Sequence, residues 1–347
     1  MTSPAPLDCA IMIVNYRTPD DAIACVRAVA AQAPDTGWHV VLVDNASPDD
    51  SASRLPVELA DLINSGFLTF LPLAHNGGFA WGNNQAMQHL YARGHRPEFM
   101  MLLNPDCIIE RGAVEALIAD MRDHPECAVN GSLLLNPDGS VTGCCFNFLT
   151  LGNETIRALR LPGLGRRLNI APVQIPPGTE GEVGWVSGAA CLFRTVALEQ
   201  VGLMDDGYFL YYEEVDLMRR ISRAGWTIRH VPRSRVMHIG GASTGLLEGH
   251  NRSAEAMPDY WHESRRRYFT LAFGKGGGRR ASRLWLWGDR IARIIGAFIA
   301  HRNVLRTDGD RAKMRRIGLH QKPQDHVPAI ARLGDPEGRA PTWMSYP

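Results

Sequence analysis

The sequence predicts an α/β protein: a mostly parallel sheet flanked by helices, followed by a helical C-terminal extension. Three observations predict it. Short continuous apolar runs recur through residues 1–110, as expected of strands buried on both faces. Segments with helical patterning separate those runs, which suits crossovers between parallel strands. Each run also ends in a polar or glycine-rich cluster, and ligands of parallel sheets sit outside the carboxyl ends of the strands.

Taken in order, Ala10 to Val14 is the first strand. Thr18-Pro-Asp-Asp21 opens a helix, with Thr18 as N-cap, proline in the first turn and acids at the positive end. Ile23, Val26, Val29 and Ala30 form its buried stripe. His39 to Val43 is the second strand, Leu68 to Leu73 the third, and Phe99 to Leu103 the fourth, with a helix from about Ala80 to Tyr91 before the last of these. From Asn136 to Glu182 the chain is rich in Gly, Pro and Asn and reads as loops over the sheet edge. A strand over Gly184 to Phe193 and a helix over Thr195 to Val201 follow. A helix ending at Ala224 and a strand over Thr227 to Val231 complete the pattern. Residues 1–258 are read as the α/β domain, 259–319 as a basic amphipathic helical region, and 320–347 as a polar, Pro-containing tail without structural signal.

Hydrophobic residues make up 45% of the 347, enough for a full core. Lys+Arg 37 against Asp+Glu 36 leaves no global charge to attract nucleic acid, which is excluded as a partner. The cysteines form no CxxC pair and lie in apolar stretches, which reads as buried thiols in a reducing compartment. No signal peptide and no uncharged apolar stretch of ~18 residues is seen, so a cytoplasmic chain, at most peripheral to a membrane, is expected.

The polar clusters carry the chemistry. Asp44, at a strand end, fits either a hydrogen-bond acceptor for a ribose or base, or a turn aspartate. Asn76-Gly-Gly-Phe-Ala-Trp-Gly-Asn-Asn84 offers backbone N–H groups to a diphosphate, or is simply a turn; no GxGxxG or P-loop pattern is present. Asp106 of Asn104-Pro-Asp106 suits a divalent cation or a turn. Glu213-Glu-Val-Asp216 crowds three acids at a helix start; repulsion raises at least one pKa, as a general base near neutral pH requires. Dipole complementation is the plainer reading, and Asp216 lies one helical turn before Arg220. His238 gains meaning only if the fold brings it near Asp106.

These residues, as an ordered set over about 9–245, resemble the family 2 glycosyltransferases of the GT-A fold, and more narrowly bacterial rhamnosyltransferases of cell-surface polysaccharide assembly. The resemblance rests on Val14-Asn-Tyr16, Val43-Asp-Asn-Ala-Ser47, the Asn76 to Asn84 run and Leu103-Asn-Pro-Asp106. It continues through Ser187-Gly-Ala189, Phe209 to Leu217 with Arg220, Gly225-Trp226 and His238 to Ser243. It implies an inverting, metal-dependent transfer of a sugar from a nucleoside-diphosphate donor to a hydroxyl of a glycan or lipid-linked acceptor. It further implies that Asn15 and Asp44 contact the nucleoside, that the loop with Asn76, Gly78, Phe79 and Asn84 closes over the donor, and that Asn104 belongs with these nucleotide-sugar-binding residues. Asp106 and His238 would hold Mg²⁺ or Mn²⁺, with Asn104 in place of the first acid of the family's DXD motif. Glu214 takes the base position, with Glu213 and Asp216 as alternatives because Glu replaces the commoner Asp. Trp185, Gly188 and Ala189 fall on the acceptor side. dTDP-rhamnose is the leading donor, with UDP sugars such as UDP-galactofuranose behind it. A nucleotidyltransferase lacks support, since no Gly-rich nucleotidyl loop is present; a non-catalytic nucleotide-sugar scaffold is the other rival.

Arg265-Arg-Arg267, Arg279-Arg280 with Arg283, and Arg311 to Arg316 alternate with Leu284, Trp285, Leu286, Trp287, Ile291, Ile294, Ile295, Phe298 and Ile299. That mixture fits a helix on an anionic bilayer at the inner membrane face, or one packing its apolar side on the catalytic domain.

Overall fold

The computed structural model describes residues 7–34, 37–240, 256–298 and 308–345. Gly241 to Ser243 of the His238 motif and Ile299 of the apolar series lie outside them.

The strands are β1 Cys9–Asn15, β2 Trp38–Asp44, β3 Leu68–Pro72, β4 Phe99–Leu103, β5 Cys107–Ile109 and β6 Cys127–Leu135. They continue as β7 Cys145–Phe146, β8 Gly181–Glu182, β9 Trp185–Val186, β10 Ala190–Arg194 and β11 Thr227–His238. Helices α1 Pro19–Ala30, α2 Ser51–Glu58, α3 Ala60–Asn64, α4 Gly78–Ala92, α5 Ala113–Asp123 and α6 Leu151–Leu159 come first. After them come α7 Pro162–Arg167, α8 Thr195–Val201, α9 Glu213–Arg223, α10 Asp259–Phe273, α11 Gly277–Phe298 and α12 Asp308–Lys313.

The main sheet runs β3-β2-β1-β4-β10-β6-β11-β5, with β8 beside β11, and β7 pairs with β9 in a second, small sheet. The block β3-β2-β1-β4 is parallel, as its buried apolar runs require, and β1 is buried at every position. β10 enters antiparallel between β4 and β6, so the sheet is mixed rather than parallel throughout. The stretch expected as one strand over Gly184 to Phe193 breaks into β9 and β10, and Ser187 to Ala189 turns between them.

The loop expected between Asn136 and Glu182 contains α6 and α7. Thr150 and Asn153 make a reciprocal capping box that starts α6, a signal that three residues of spacing hide in a Gly-rich stretch. α6 lies on α11 so closely that a Cβ at Gly288 would press on Ala158.

The C-terminal region requires a correction. Arg265, Arg266 and Arg267 form no basic surface: all three are buried, and each meets a buried carboxylate, Glu154 at 2.8 Å, Asp325 at 2.7 Å and Asp205 at 2.8 Å. Three consecutive helical residues point in three directions, and here each direction meets protein. The tail also has structure. Ile330 bridges to Asp205, Leu203 N–H donates to the Ala331 carbonyl, and Glu337 pairs with His89 and Arg93 of and beside α4. Gln85, Gln88 and His89 thus give α4 a polar buried face because a polar strap covers it. Among the described residues, no helix is long and apolar enough to cross a membrane.

Candidate active site

The carboxyl ends of β1, β2 and β4 meet at one edge. Asn15 ends β1 and donates its amide to Asp44 Oδ1 at 2.8 Å across the parallel pair. The Asp44 carboxylate also accepts the Ser47 hydroxyl at 2.7 Å and the Ser47 N–H at 3.1 Å, and Asn15 Oδ1 accepts from Thr18. Both side chains are buried and held in fixed orientation by these bonds. Thr18 stands at the N-cap position of α1 but makes no side-chain cap there; its hydroxyl turns to Asn15 Oδ1 instead.

Asn45, missing from the sequence-based set, organises the glycine-rich loop. It donates to Asn76 Oδ1 at 2.9 Å and to the Gly78 carbonyl at 3.1 Å, while Asn76 Oδ1 accepts the Gly78 N–H. Its signal was present as a polar residue directly after Asp44. Gly78 has φ +84° and lies against the Phe209 carbonyl, where a Cβ would collide. The next N–H, that of Phe79, donates to the same carbonyl at 2.9 Å. The loop is therefore fastened to the segment that leads into α9. Asn84 faces another way: its amide is engaged by the Met204 carbonyl at 2.9 Å and Asp206 Oδ1 at 2.8 Å, so it anchors α4.

At the end of β4, Asp106 and His238 come together, as the sequence required for His238 to matter. His238 Nε2 is 3.3 Å from Asp106 Oδ1 and 3.4 Å from Asn104 Nδ2, and all lie at the β5–β11 edge. Burial alone pushes the Asp106 carboxyl up, but the hydrogen bond and charge of His238, with backbone N–H groups, outweigh it and hold the carboxyl below its usual range. The Cys107 sulfur belongs to the same corner. Asn104 Oδ1 is buried without a hydrogen-bond partner among the described residues. A carboxylate, an imidazole and an orphaned amide oxygen fit a small divalent cation.

Glu213 and Glu214 begin α9, after Tyr211 and Tyr212, both at positive φ. Glu213 is buried, and burial followed by the Glu214 charge pushes its carboxyl well above the ordinary value. Glu213 Oε2 has no hydrogen-bond partner among the described residues. Asp216 is engaged by Arg220 at 3.1 Å, and Arg220 also donates to the carbonyls of Val201 and Leu203, so this pair ties α9 to the Gly202 turn. On the opposite wall, a Cβ at Gly188 would sit 3.5 Å from Glu214 Cβ and 3.8 Å from the Phe79 ring. The neighbouring Ala189 carbonyl accepts the Asn104 N–H at 2.8 Å. Trp185 stacks on Phe146 at 4.1 Å and donates to the Asn147 carbonyl. A depression of about 240 Å³ lies next to the loop, lined by Leu73, His75 and Trp81 and by Glu337 and Gly338 of the tail.

A sheet edge of this kind, with a glycine-rich loop on one side and crowded carboxylates on the other, is where an α/β protein takes its ligand, and comparison with known proteins narrows the class. Residues 10–142 match the profile described as Glycosyl transferase family 2. An N-acetylglucosaminyl-diphospho-decaprenol L-rhamnosyltransferase of Mycobacterium tuberculosis is 29% identical over 81% of this chain and 90% of its own length. Rhamnosyltransferase WbbL of Escherichia coli is 24% identical over 53% of this chain and 67% of its own. The solved mannosyltransferase PcManGT of Pyrobaculum calidifontis, in complex with GDP-Man and Mn²⁺, superposes with a TM-score of 0.53 at 14% identity, over 87% of this chain and 78% of that one. Residues 10–142 therefore form a Glycosyl transferase family 2 domain, and the chain as described has the GT-A fold.

Proposed function

We propose that this protein is an inverting, metal-dependent rhamnosyltransferase acting on a lipid-linked glycan at the inner membrane face. One observation carries the reading. Gly188 leaves room beside Glu214, and the next residue, Ala189, holds Asn104 of the Asn104-Pro105-Asp106 corner. The base and the cation-fitting corner therefore share a wall. The relatives support the donor and acceptor: one is named for rhamnosyl transfer to a diphospho-decaprenol-linked N-acetylglucosamine.

In this reading Asn15 and Asp44 hold the nucleoside, and the loop from Asn76 to Phe79 covers the diphosphate. Asp106, His238 and Asn104 hold Mg²⁺ or Mn²⁺, whose chemistry when bound is neutralisation of charge on the departing diphosphate. Glu213 is pushed up by burial and by the charge of Glu214, so the two acids share their protons, and this reading gives the working charge to Glu214. Glu214 takes the proton of the acceptor hydroxyl as that oxygen bonds to the anomeric carbon. The bond from that carbon to the diphosphate oxygen breaks on the opposite side, inverting the configuration. Trp185, Gly188 and Ala189 line the acceptor's approach.

The test is turnover with dTDP-rhamnose and a prenyl-diphosphate-linked N-acetylglucosamine, with and without Mg²⁺ or Mn²⁺. Metal-dependent transfer with inverted configuration is expected. Transfer only from UDP-galactofuranose moves the donor assignment. Nucleotide binding with no transfer from any donor sinks the enzyme reading in favour of a scaffold.

A further inference from the structure

Away from the sheet edge just described, Cys144 and Cys145 converge with His230. All three are buried, at 1%, 0% and 0% exposure. Cys144 Sγ lies 3.2 Å from His230 Nε2, and the two sulfurs and that nitrogen are all within 4.8 Å of one another. The other ring nitrogen, His230 Nδ1, is 2.6 Å from the Thr179 carbonyl. A carbonyl accepts only, so Nδ1 bears a proton and Nε2 is the nitrogen that faces the sulfurs. Metal-binding histidines are oriented in this way by a partner behind the ring.

We propose that Cys144, Cys145 and His230 bind one thiophilic divalent metal ion, zinc by chemistry, as a structural clip independent of the transferase site. Tetrahedral zinc bonded to sulfur at ~2.3 Å and to nitrogen at ~2.0–2.1 Å places those atoms about 3.5 Å apart and two sulfurs about 3.8 Å apart. The 3.2 Å between Cys144 Sγ and His230 Nε2 reaches that geometry with a shift of a few tenths of an ångström, and the other two spacings, within 4.8 Å, with shifts of up to about 1 Å. Two thiolates cancel the charge of a divalent ion, which a fully buried site favours, and both thiol protons leave on binding. A plain S–H···N bond accounts for Cys144 alone. Cys145 bonds to the Cys144 sulfur and has a 3.9 Å contact to the Pro176 carbonyl, so the three groups already converge on one point before any ion enters.

The position explains what a clip would do. Cys145 pairs with Val186 across the small sheet, and the Cys144 carbonyl accepts the Ser187 N–H at 3.0 Å. His230 belongs to β11 in the main sheet. An ion here joins the main sheet to the strand pair that leads into Ser187 to Ala189.

Zinc absorption spectroscopy on the full chain tests the proposal. The protein is stripped by chelator under reducing conditions and reloaded with one equivalent of zinc. Two sulfurs at ~2.3 Å and nitrogen at ~2.0–2.1 Å are expected. A shell with one sulfur or none overturns the site, because the Asp106–Cys107–His238 corner can supply only one. Cobalt titration gives a second reading: a thiolate-to-cobalt charge-transfer band saturating at one equivalent, weakened in Cys145→Ser and absent in Cys144→Ser/Cys145→Ser. A band that survives in the folded double variant overturns the assignment. Should that variant fail to fold, the wild-type zinc spectrum still decides.

Discussion

Two groups of buried carboxylates sit in this molecule, and they are treated in opposite ways. At the joint between the sheet domain and the C-terminal helices, Glu154, Asp325 and Asp205 each meet a buried arginine of α10. At the cleft, Glu213 is equally buried, has another acid as its neighbour, and leaves Oε2 without a partner. Removing two charges from water is costly unless they compensate each other. The joint shows compensation and reads as architecture. The cleft shows a tolerated penalty, which suits a site whose partner is a substrate.

The sharpest way to break that contrast is to neutralise each cleft acid separately. Glu214→Gln should lower transfer by ~10²–10⁴ while donor binding, read by calorimetry, stays within about twofold. Glu213→Gln should leave the fold as stable as before or more so, since a buried acid that must hold its proton near neutral pH costs stability that a neutral amide does not. If Glu213→Gln abolishes transfer and Glu214→Gln does not, the base belongs at Glu213.

The joint should respond the other way. Arg265→Met removes the buried cation facing Glu154, keeps the half-exposed Arg157 as an ion-pair partner, and should cost about 3–5 kcal/mol in denaturant unfolding. Adding Glu154→Leu should recover most of that loss. A double variant no more stable than the single one would mean that the Arg265–Glu154 pair is not a compensated unit.

Asp206 sits between the two cases, and pH reveals which it follows. Burial chiefly, with the Asp205 charge, raises its carboxyl to about 7, against the hydrogen bond from Asn84. A raised acid holds its proton in the folded state at a pH where the unfolded chain has released it. Its contribution is complete below pH ~4 and is lost as pH climbs to about 7. Asp206→Asn keeps an oxygen for Asn84 and removes the titration. The variant should gain on the wild type between pH 5 and 8 by on the order of 2 kcal/mol. A difference that is flat with pH would return Asp206 to the ordinary carboxylate range.

Legibility in the sequence divides along the same line. β1, β2 and β4 and their polar ends could be read because a strand buried on both faces is close to apolar throughout, so the polar residue that ends it marks the edge, whereas β3, at the sheet margin, is mostly half-buried. Asp106 and His238 are far apart in sequence, and only the β5–β11 pairing joins them; the family resemblance, not local pattern, brought them together. The buried arginines were misread because a run of three gives no hint of Glu154, Asp205 or Asp325, each about 60 residues or more away. The tail was silent for a related reason. Many of its contacts with α4 are made by backbone carbonyls and amides, such as Arg339 O accepting from Trp81, and the single acid Glu337 that reaches His89 and Arg93 makes no pattern.

The smallest expected effect concerns the basic surface that does remain. After Arg265, Arg266 and Arg267 are withdrawn into the joint, Trp287 and Ile294 stay more than half exposed beside Arg290, Arg293 and Arg315. They line a depression of about 580 Å³. Trp287→Ser/Ile294→Ser should leave stability within about 0.5 kcal/mol, since exposed side chains carry little of the fold. If this face meets an anionic bilayer, the same variant should lose binding to phosphatidylglycerol vesicles in low-salt flotation, and the wild type should bind. Wild-type chain that stays in the bottom fraction removes the membrane reading and leaves α11 with the role that α6 and Gly288 already give it, packing on the sheet domain.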